Sequence, residues 1–251
     1  MGCSSEDSPN EPLVASYFFS YMHYPTDTSF STSESNQVRI TYKNHRITKR
    51  QGGVRGIDSS TGFGGWYSSE ISDTVIYSRQ KILVEEGRVL PYYTEPSSRT
   101  EFILDPQQRI MQRINVNANV IYQSHMDTTK YSYTPSGLLY QSRKGKPNLE
   151  HEVETFYYDS HDNLVAIITK HYGYGTLLYY TVKETFSEYD DAPNPLKQFF
   201  LFKETFLRSL SKNNYMHYEK TQYDYDQNVV AHEERHWVVP HYQGHILFAL
   251  Y

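Results

Sequence analysis

The stretch FYYDSHDNLVAIITK, residues 156–170, reads as two β-strands and the turn that joins them. Phe156, Tyr157 and Tyr158 are aromatic, and flat rings fit a pleated, half-buried surface. Asp159-Ser160-His161-Asp162-Asn163 is short and polar, made of residues that bond their own backbone and accept turn geometry. Leu164 to Thr169 is apolar and partly β-branched, which again favours extended chain. An aromatic run, a polar turn and a branched run together predict a β-hairpin.

The same idiom recurs along the chain. RITYKNHRITKR places Tyr42 before the turn Lys43-Asn44-His45 and Ile47 after it. EFILDPQQRIMQRINV has Phe102 and Leu104, the turn Asp105-Pro106-Gln107-Gln108, then Ile110. YSYTPSGLLYQSR has Tyr131 and Tyr133, Thr134-Pro135-Ser136-Gly137, then Leu138. QYDYDQNVVAHEERHW has Tyr223 and Tyr225, Asp226-Gln227-Asn228, then Val229. The anchors Leu104, Tyr133, Tyr158, Tyr189 and Tyr225 lie 29, 25, 31 and 36 residues apart, which predicts an imperfect repeat of hairpins that need their neighbours. Consecutive hairpins pair antiparallel. The expected fold is therefore mainly β: a large antiparallel sheet or open meander of hairpins with one short helix.

Two segments depart from the idiom. Residues 50–69 hold six of the thirteen glycines between Gly52 and Gly65. No G-K-[ST] ending and no G-x-G-x-x-G accompanies them, so the segment predicts a long loop rather than a phosphate cradle. In NPLKQFFLFKETFLRSLSKNN, the apolar residues Leu196, Phe199, Phe200, Phe206, Leu207 and Leu210 fall near helical spacing. Asn194 is placed to cap, with Pro195 at the first helical position and Asn213-Asn214 at the end. One helix is expected over about 195–211, covering part of the sheet.

The 251 residues suffice for one large β domain, taken as 13–251, after a polar leader at 1–12. The 25 tyrosines and 12 phenylalanines fit a broad, partly covered sheet. A net charge of −5 with both signs dispersed shows no basic stripe, which argues against a nucleic-acid partner. No apolar run is long enough for a membrane-spanning helix. Cys3 is the only cysteine, so no intrachain disulfide forms.

Several of these residues together resemble known families. The Tyr158-Asp159 and Tyr225-Asp226 turns are similar to the YD repeats of the RHS class. YDDAPNPL (Tyr189 to Leu196) followed by LSKNN (Leu210 to Asn214) resembles an uncharacterised lipoprotein family of gut Bacteroidota that carries YD-like repeats in one domain. The resemblance covers roughly Gln37 to Tyr251. Thr134, where the pattern has Asp, and the missing turn glycine after Asp226 depart from it. Gly2-Cys3 followed by Glu6 and Asp7 is similar to the lipidation and export signal of such lipoproteins. N-myristoylation at Gly2 is the rival, and it wants Ser or Thr where Glu6 stands. The resemblance implies lipid attachment at Cys3, a membrane partner through that anchor, and an outer-membrane lipoprotein at the cell surface or periplasmic face. It carries no catalytic residue.

One motif points elsewhere. AHEERHWVVPH contains His232-Glu233-Glu234-Arg235-His236, the H-E-x-x-H of zinc hydrolases. That motif works on a helix, where residues i and i+4 share a face and reach one ion. Here Val229-Val230 precede it and Val238-Val239 follow, which predicts a strand. On a strand the two histidines stand roughly 13 Å apart. His232, Glu234 and His236 then share one face, and Glu233, Arg235 and Trp237 the other. Val239 and Tyr242 stand where the extended motif has Gly and His, and no acid follows Glu234. A zinc reading has to recruit a ligand from upstream, such as His217 or Glu219. The expectation is no metal and no cofactor.

Glu85-Glu86 and Asp190-Asp191 are adjacent carboxylates, expected to be ordinary surface charge. Asp159, Asp162 and Asn163 are too few for calcium. The expected function is a non-catalytic surface lipoprotein binding a glycan or a protein partner through exposed aromatics, with Trp66 and Trp237 as candidate platforms. A hydrolase with its site on the sheet face, or a structural protein of the outer surface, are the alternatives.

Overall fold

The computed structural model describes residues 13–18, 37–55, 66–88, 98–116, 128–191, 194–236 and 248–250. Cys3 and the leader, most of the glycine-rich segment and Trp237 lie outside them. Among the described residues fifteen strands form one sheet: β1 (Val14–Phe18), β2 (Gln37–Lys43), β3 (Arg46–Arg55), β4 (Trp66–Tyr77), β5 (Lys81–Arg88), β6 (Ser98–Leu104), β7 (Ile110–Val116), β8 (Thr128–Tyr133), β9 (Leu139–Gly145), β10 (His151–Tyr158), β11 (Leu164–Tyr172), β12 (Leu178–Tyr189), β13 (Tyr215–Asp224), β14 (Val229–His236) and β15 (Phe248–Leu250). Sequence neighbours pair antiparallel from β1 to β14, and β15 pairs antiparallel with β1 at the other edge. The mainly β, antiparallel meander expected from the sequence is the architecture found.

The repeat is sharper in space than in sequence. Asp105, Thr134, Asp159 and Asp224 each open a five-residue turn. In each, the first N–H donates to the fifth carbonyl (2.8, 2.8, 2.9 and 3.0 Å) and the fourth N–H donates back to the first carbonyl. The fourth residue, Gln108, Gly137, Asp162 or Gln227, has positive φ. The side-chain oxygen of the first residue accepts the fifth residue's N–H, at 2.9 Å from Arg109, 3.0 Å from Leu138, 2.9 Å from Asn163 and 2.9 Å from Asn228. This is an Asx-type turn with a left-handed residue, a common three-residue hairpin connection. Thr134 fills the aspartate position because its hydroxyl accepts the same bond. In the last unit the turn acid is Asp224, so Tyr223, not Tyr225, holds the repeat position. Tyr225 is 69% exposed in the turn itself. That corrects the sequence reading, which centred the turn on Asp226.

Each turn is followed by a bulge one residue into the outgoing strand. Register shifts leave Met111, Tyr140, Val165 and Val230 unpaired after the four five-residue turns. Thr48 and Tyr179 hold the same place after the turns at residues 44–45 and 173–177. A bulge increases local twist and bends the strand, so repeated bulges curl the sheet.

The sheet curls around the connection from β12 to β13. A 3-10 turn at Lys197–Phe199 and a short helix α1 (Lys203–Ser209) lie there in place of the single helix expected over 195–211. Leu201 and Phe202 are consecutive and both buried, at 6% and 2% exposure. The chain extends at Phe202 (φ −111°, ψ 134°) before α1 begins, which breaks the run into two short pieces. Leu196, Phe199, Leu201 and Phe202 pack with Val14, Tyr17, Val38, Ile40, Ile47, Val75, Ile82, Val84, Phe102, Leu104 and Ile110. Leu207 packs with Leu139, Phe156, Leu164, Ile167, Phe186, Tyr215 and Tyr218. One insert thus fills the inner face of nearly the whole meander.

Polar groups fix the insert. Asn194 accepts from the Leu196 N–H at 2.9 Å and donates to the Ser211 carbonyl at 2.9 Å. The Leu164 N–H donates to Ser211 Oγ at 3.0 Å, and the Asn213 N–H to Asn163 Oδ1 at 2.9 Å. Asn213 and Asn214 therefore do not end the helix, which stops at Ser209. Asn214 is buried and donates its N–H to Asp190 Oδ1 at 3.0 Å. Asp190 is 8% exposed, a correction to its reading as surface charge: it closes the neck between β12 and β13.

Candidate functional site

Among the described residues the inner face is packed with side chains, which leaves the outer face and the hairpin tips open to a ligand. The outer face is polar: Lys49, Lys130, Arg143, Lys170 and Lys183 are exposed along it, and Glu101 is paired to Lys81 (3.2 Å) and Arg99 (3.1 Å). Large apolar residues are concentrated on the inner face, which also holds the buried Arg50, Asp73 and Glu184, and most of the exposed charge lies on the outer face.

Of the ten exposed large apolar residues among the described residues, six lie on two adjacent hairpin tips, and Ile76, Met111, Tyr140 and Tyr157 are spread over other strands. The turn between β11 and β12 carries Tyr174 (71% exposed) and Leu177 (61%), and Tyr179 (45%) follows at the bulge. Tyr180 pairs with Asp224 on β13, so the next residues outward are Tyr179 and Tyr225. Val229 and Val230 complete the second hairpin, both exposed. Two adjacent hairpins thus end in three tyrosines and three aliphatic side chains. Tyr179 lies against the backbone: a Cβ on Gly173 would stand 2.3 Å from its Cζ and Oη. Gly173 gives the phenol the room to lie there. Trp66 begins β4, and the side chains of Trp66 and Trp237, the platforms expected from the sequence, lie outside the described residues; the exposed tyrosines at these tips are an additional aromatic surface. The signal for them, YGYGTLLYY at 172–180, was present in the sequence and lacked the aspartate of the other turns.

The second cluster comes from HEERH. The motif lies on β14, as its valine flank predicts. His232 bonds Thr221 at 3.0 Å and takes no part. His236 faces His217 across β13, and their rings stack at 4.1 Å and 9°. Both Nε2 atoms lie 3.0 Å from Glu234 Oε1. The hydrogen bonds from His236 and then His217 hold the Glu234 carboxyl below the usual glutamate range. Glu219 Oε1 is 3.7 Å from His217 Nε2, and Ser187 Oγ is 3.0 Å from His217 Nδ1. Glu188, His217 and His236 bring one donor atom each within 4.8 Å of one another. Cross-strand pairing, invisible in a linear motif, selects His217 in place of His232.

No family model matches this sequence, and no curated protein matches it. Among solved structures, a porin-like protein from Bacteroides vulgatus aligns over 90% of this chain and 93% of its own, with 10% identity and a TM-score of 0.47. A porin-like protein from Bacteroides uniformis aligns over 85% and 87%, with 10% identity and a TM-score of 0.43.

Proposed function

We propose that the chain is a non-catalytic lipoprotein of the bacterial outer surface, anchored through Cys3, that binds a glycan through the tyrosines of the β11–β12 and β13–β14 tips. The carrying observation is the group of exposed tyrosines, Tyr174, Tyr179 and Tyr225, on two neighbouring hairpin tips, with Tyr179 lying against Gly173. A tyrosine ring offers an apolar face to a sugar at a low cost in conformational entropy. The polar outer face supports attachment to a membrane by a lipid rather than by strands that cross it.

Two measurements test this reading. Glycan-array binding by the intact chain is expected, and it is expected to disappear in a Tyr174→Ala/Tyr179→Ala/Tyr225→Ala variant that keeps its strand circular dichroism. No glycan bound, or binding indifferent to the three rings, refutes the glycan assignment. For the anchor, the native protein expressed with its export signal should incorporate a labelled lipid precursor at Cys3. An unmodified Cys3 thiol in the mature native protein refutes anchoring.

A further inference from the structure

We propose that the outer face of β12, β13 and β14 binds one borderline divalent transition-metal ion, of the zinc class, through His217, His236, Glu188 and Glu234. The site is distinct from the H-E-x-x-H pattern that overlaps it, because only His236 and Glu234 of that motif take part.

Geometry carries the assignment. His217 and His236 are direct cross-strand partners, and the Nε2 atom of each lies 3.0 Å from Glu234 Oε1. A turn of the exposed His236 ring out of its stack on His217 lets the two imidazoles and the carboxylate surround one ion. His217 is oriented from behind: its Nδ1 lies 3.0 Å from Ser187 Oγ, so an Nδ1–H donated to that hydroxyl leaves the Nε2 lone pair free for metal.

Glu188 is the second observation. Phe186 and Tyr189 both pack in the core, so strict alternation cannot place the residues between them. Glu188 takes a left-handed conformation (φ 57°), a strained choice for a non-glycine residue. The result is that Ser187 and Glu188 are both exposed, and a Glu188 carboxylate oxygen comes within 4.8 Å of one ring nitrogen of each histidine. Around a tetrahedral zinc with bonds of about 2.0–2.1 Å, donors stand about 3.4 Å apart. An exposed glutamate covers that difference by rotating its side chain. Two imidazoles and two carboxylates suit zinc, copper or nickel and not magnesium or calcium, which take oxygen ligands. The ion would tie three strands at one margin of the sheet.

The test uses the untagged chain and zinc chloride. Calorimetric titration is expected to show one equivalent bound, with a rise in Tm, since an ion held only by the folded state stabilises it. Cobalt(II) in place of zinc should give the visible absorption of a tetrahedral site. His236→Ala and Glu188→Gln should each remove the bound equivalent, and Glu188 is exposed enough for the second variant to keep the fold if the first does not. Ser187→Ala, which touches only the back of His217, should weaken binding about tenfold. His232→Ala, on the same strand and the same face, should change nothing. No zinc bound to the wild-type chain, or zinc that persists in Glu188→Gln and His236→Ala, overturns the proposal.

Discussion

The Tyr133 hydroxyl donates to the Ile110 carbonyl, 2.7 Å away on the neighbouring strand. Ile110 immediately precedes the bulged Met111, where the ladder between β6 and β7 is interrupted. Tyr189 does the same to Leu164, which precedes the bulged Val165. A bulge leaves a backbone group without its ladder partner, and a buried carbonyl without a partner is costly. Tyrosine answers both needs, because its ring packs in the core and its hydroxyl reaches the carbonyl.

Truncation separates those two roles. Tyr133→Phe removes only the hydroxyl and is expected to cost about 1 kcal/mol. Tyr133→Ala also removes a ring that packs on the core and lies under the Arg109 guanidinium (4.7 Å), and is expected to cost roughly 2–4 kcal/mol. Urea midpoints at constant slope measure both. Equal costs for the two variants would show that the ring contributes nothing.

The turn aspartates make the fold acid-sensitive. Burial raises Asp105 and Asp159, but the N–H donors outweigh it, Arg109 at Asp105 and Asn163 at Asp159, so both sit below the usual aspartate range. The side-chain hydrogen bond from Asn228 and then its N–H lower Asp224. A lowered folded pKa gives stability that is fully present above the ordinary value of 3.8 and is lost as pH falls through the lower folded value. The urea midpoint should therefore fall as pH drops through and below the ordinary aspartate value of 3.8. Asp159→Thr, which copies the Thr134 turn, should fold and show a shallower acid limb. An unchanged limb would place the acid sensitivity elsewhere.

The hairpins were legible because each carries its own turn chemistry within about five residues, as Asp159 to Asn163 does. The strand at HEERH was legible from Val229 and Val230. What escaped depends on residues far apart in sequence. The break at Phe202 accompanies the packing of Leu201 and Phe202 into a core supplied by distant strands, from Val14 to Ile110, and helical periodicity cannot register those contacts. Asp190 looks like surface charge until Asn214, 24 residues on, closes the neck with it. The His217–His236 pair exists only once β13 and β14 are in register. Tyr223 and Tyr225 offer equivalent turn phases, and the choice was settled by which aspartate could accept the Asn228 N–H.

Arg50 and Asp73 form a buried pair directly across β3 and β4, with Arg50 Nε 2.6 Å from Asp73 Oδ2 and the guanidinium 4.2 Å over the Phe202 ring. Their side chains are 8% and 3% exposed. Burial pushes the Asp73 carboxyl up, and Arg50 opposes it. Asp73→Ala leaves a buried cation without its carboxylate and is expected to cost roughly 3–5 kcal/mol. Replacing both partners, as Arg50→Met with Asp73→Leu, should cost much less. If the double variant is as unstable as the single one, the pair contributes by its own attraction rather than by mutual need.

Two glycines face tyrosines, and replacing each should have a different consequence. Gly52 has φ +83°, and a Cβ there would meet Tyr67 Oη at 2.7 Å and the Gln37 carbonyl oxygen at 3.1 Å. Tyr67 already donates to that same carbonyl, at 2.8 Å. Gly52→Ala combines backbone strain with the disturbance of this bond, and is expected to cost roughly 1–3 kcal/mol in thermal or urea unfolding. Gly173 has no such backbone demand; its Cβ would meet only Tyr179, whose ring must then swing away. Because Tyr179 is 45% exposed, Gly173→Ala should change stability by less than about 1 kcal/mol. Its effect should fall on recognition, weakening glycan binding as much as Tyr179→Ala does, although every tyrosine remains. Binding that is retained in Gly173→Ala and lost in Tyr179→Ala would show that the ring contributes contact area and that its place against Gly173 does not matter.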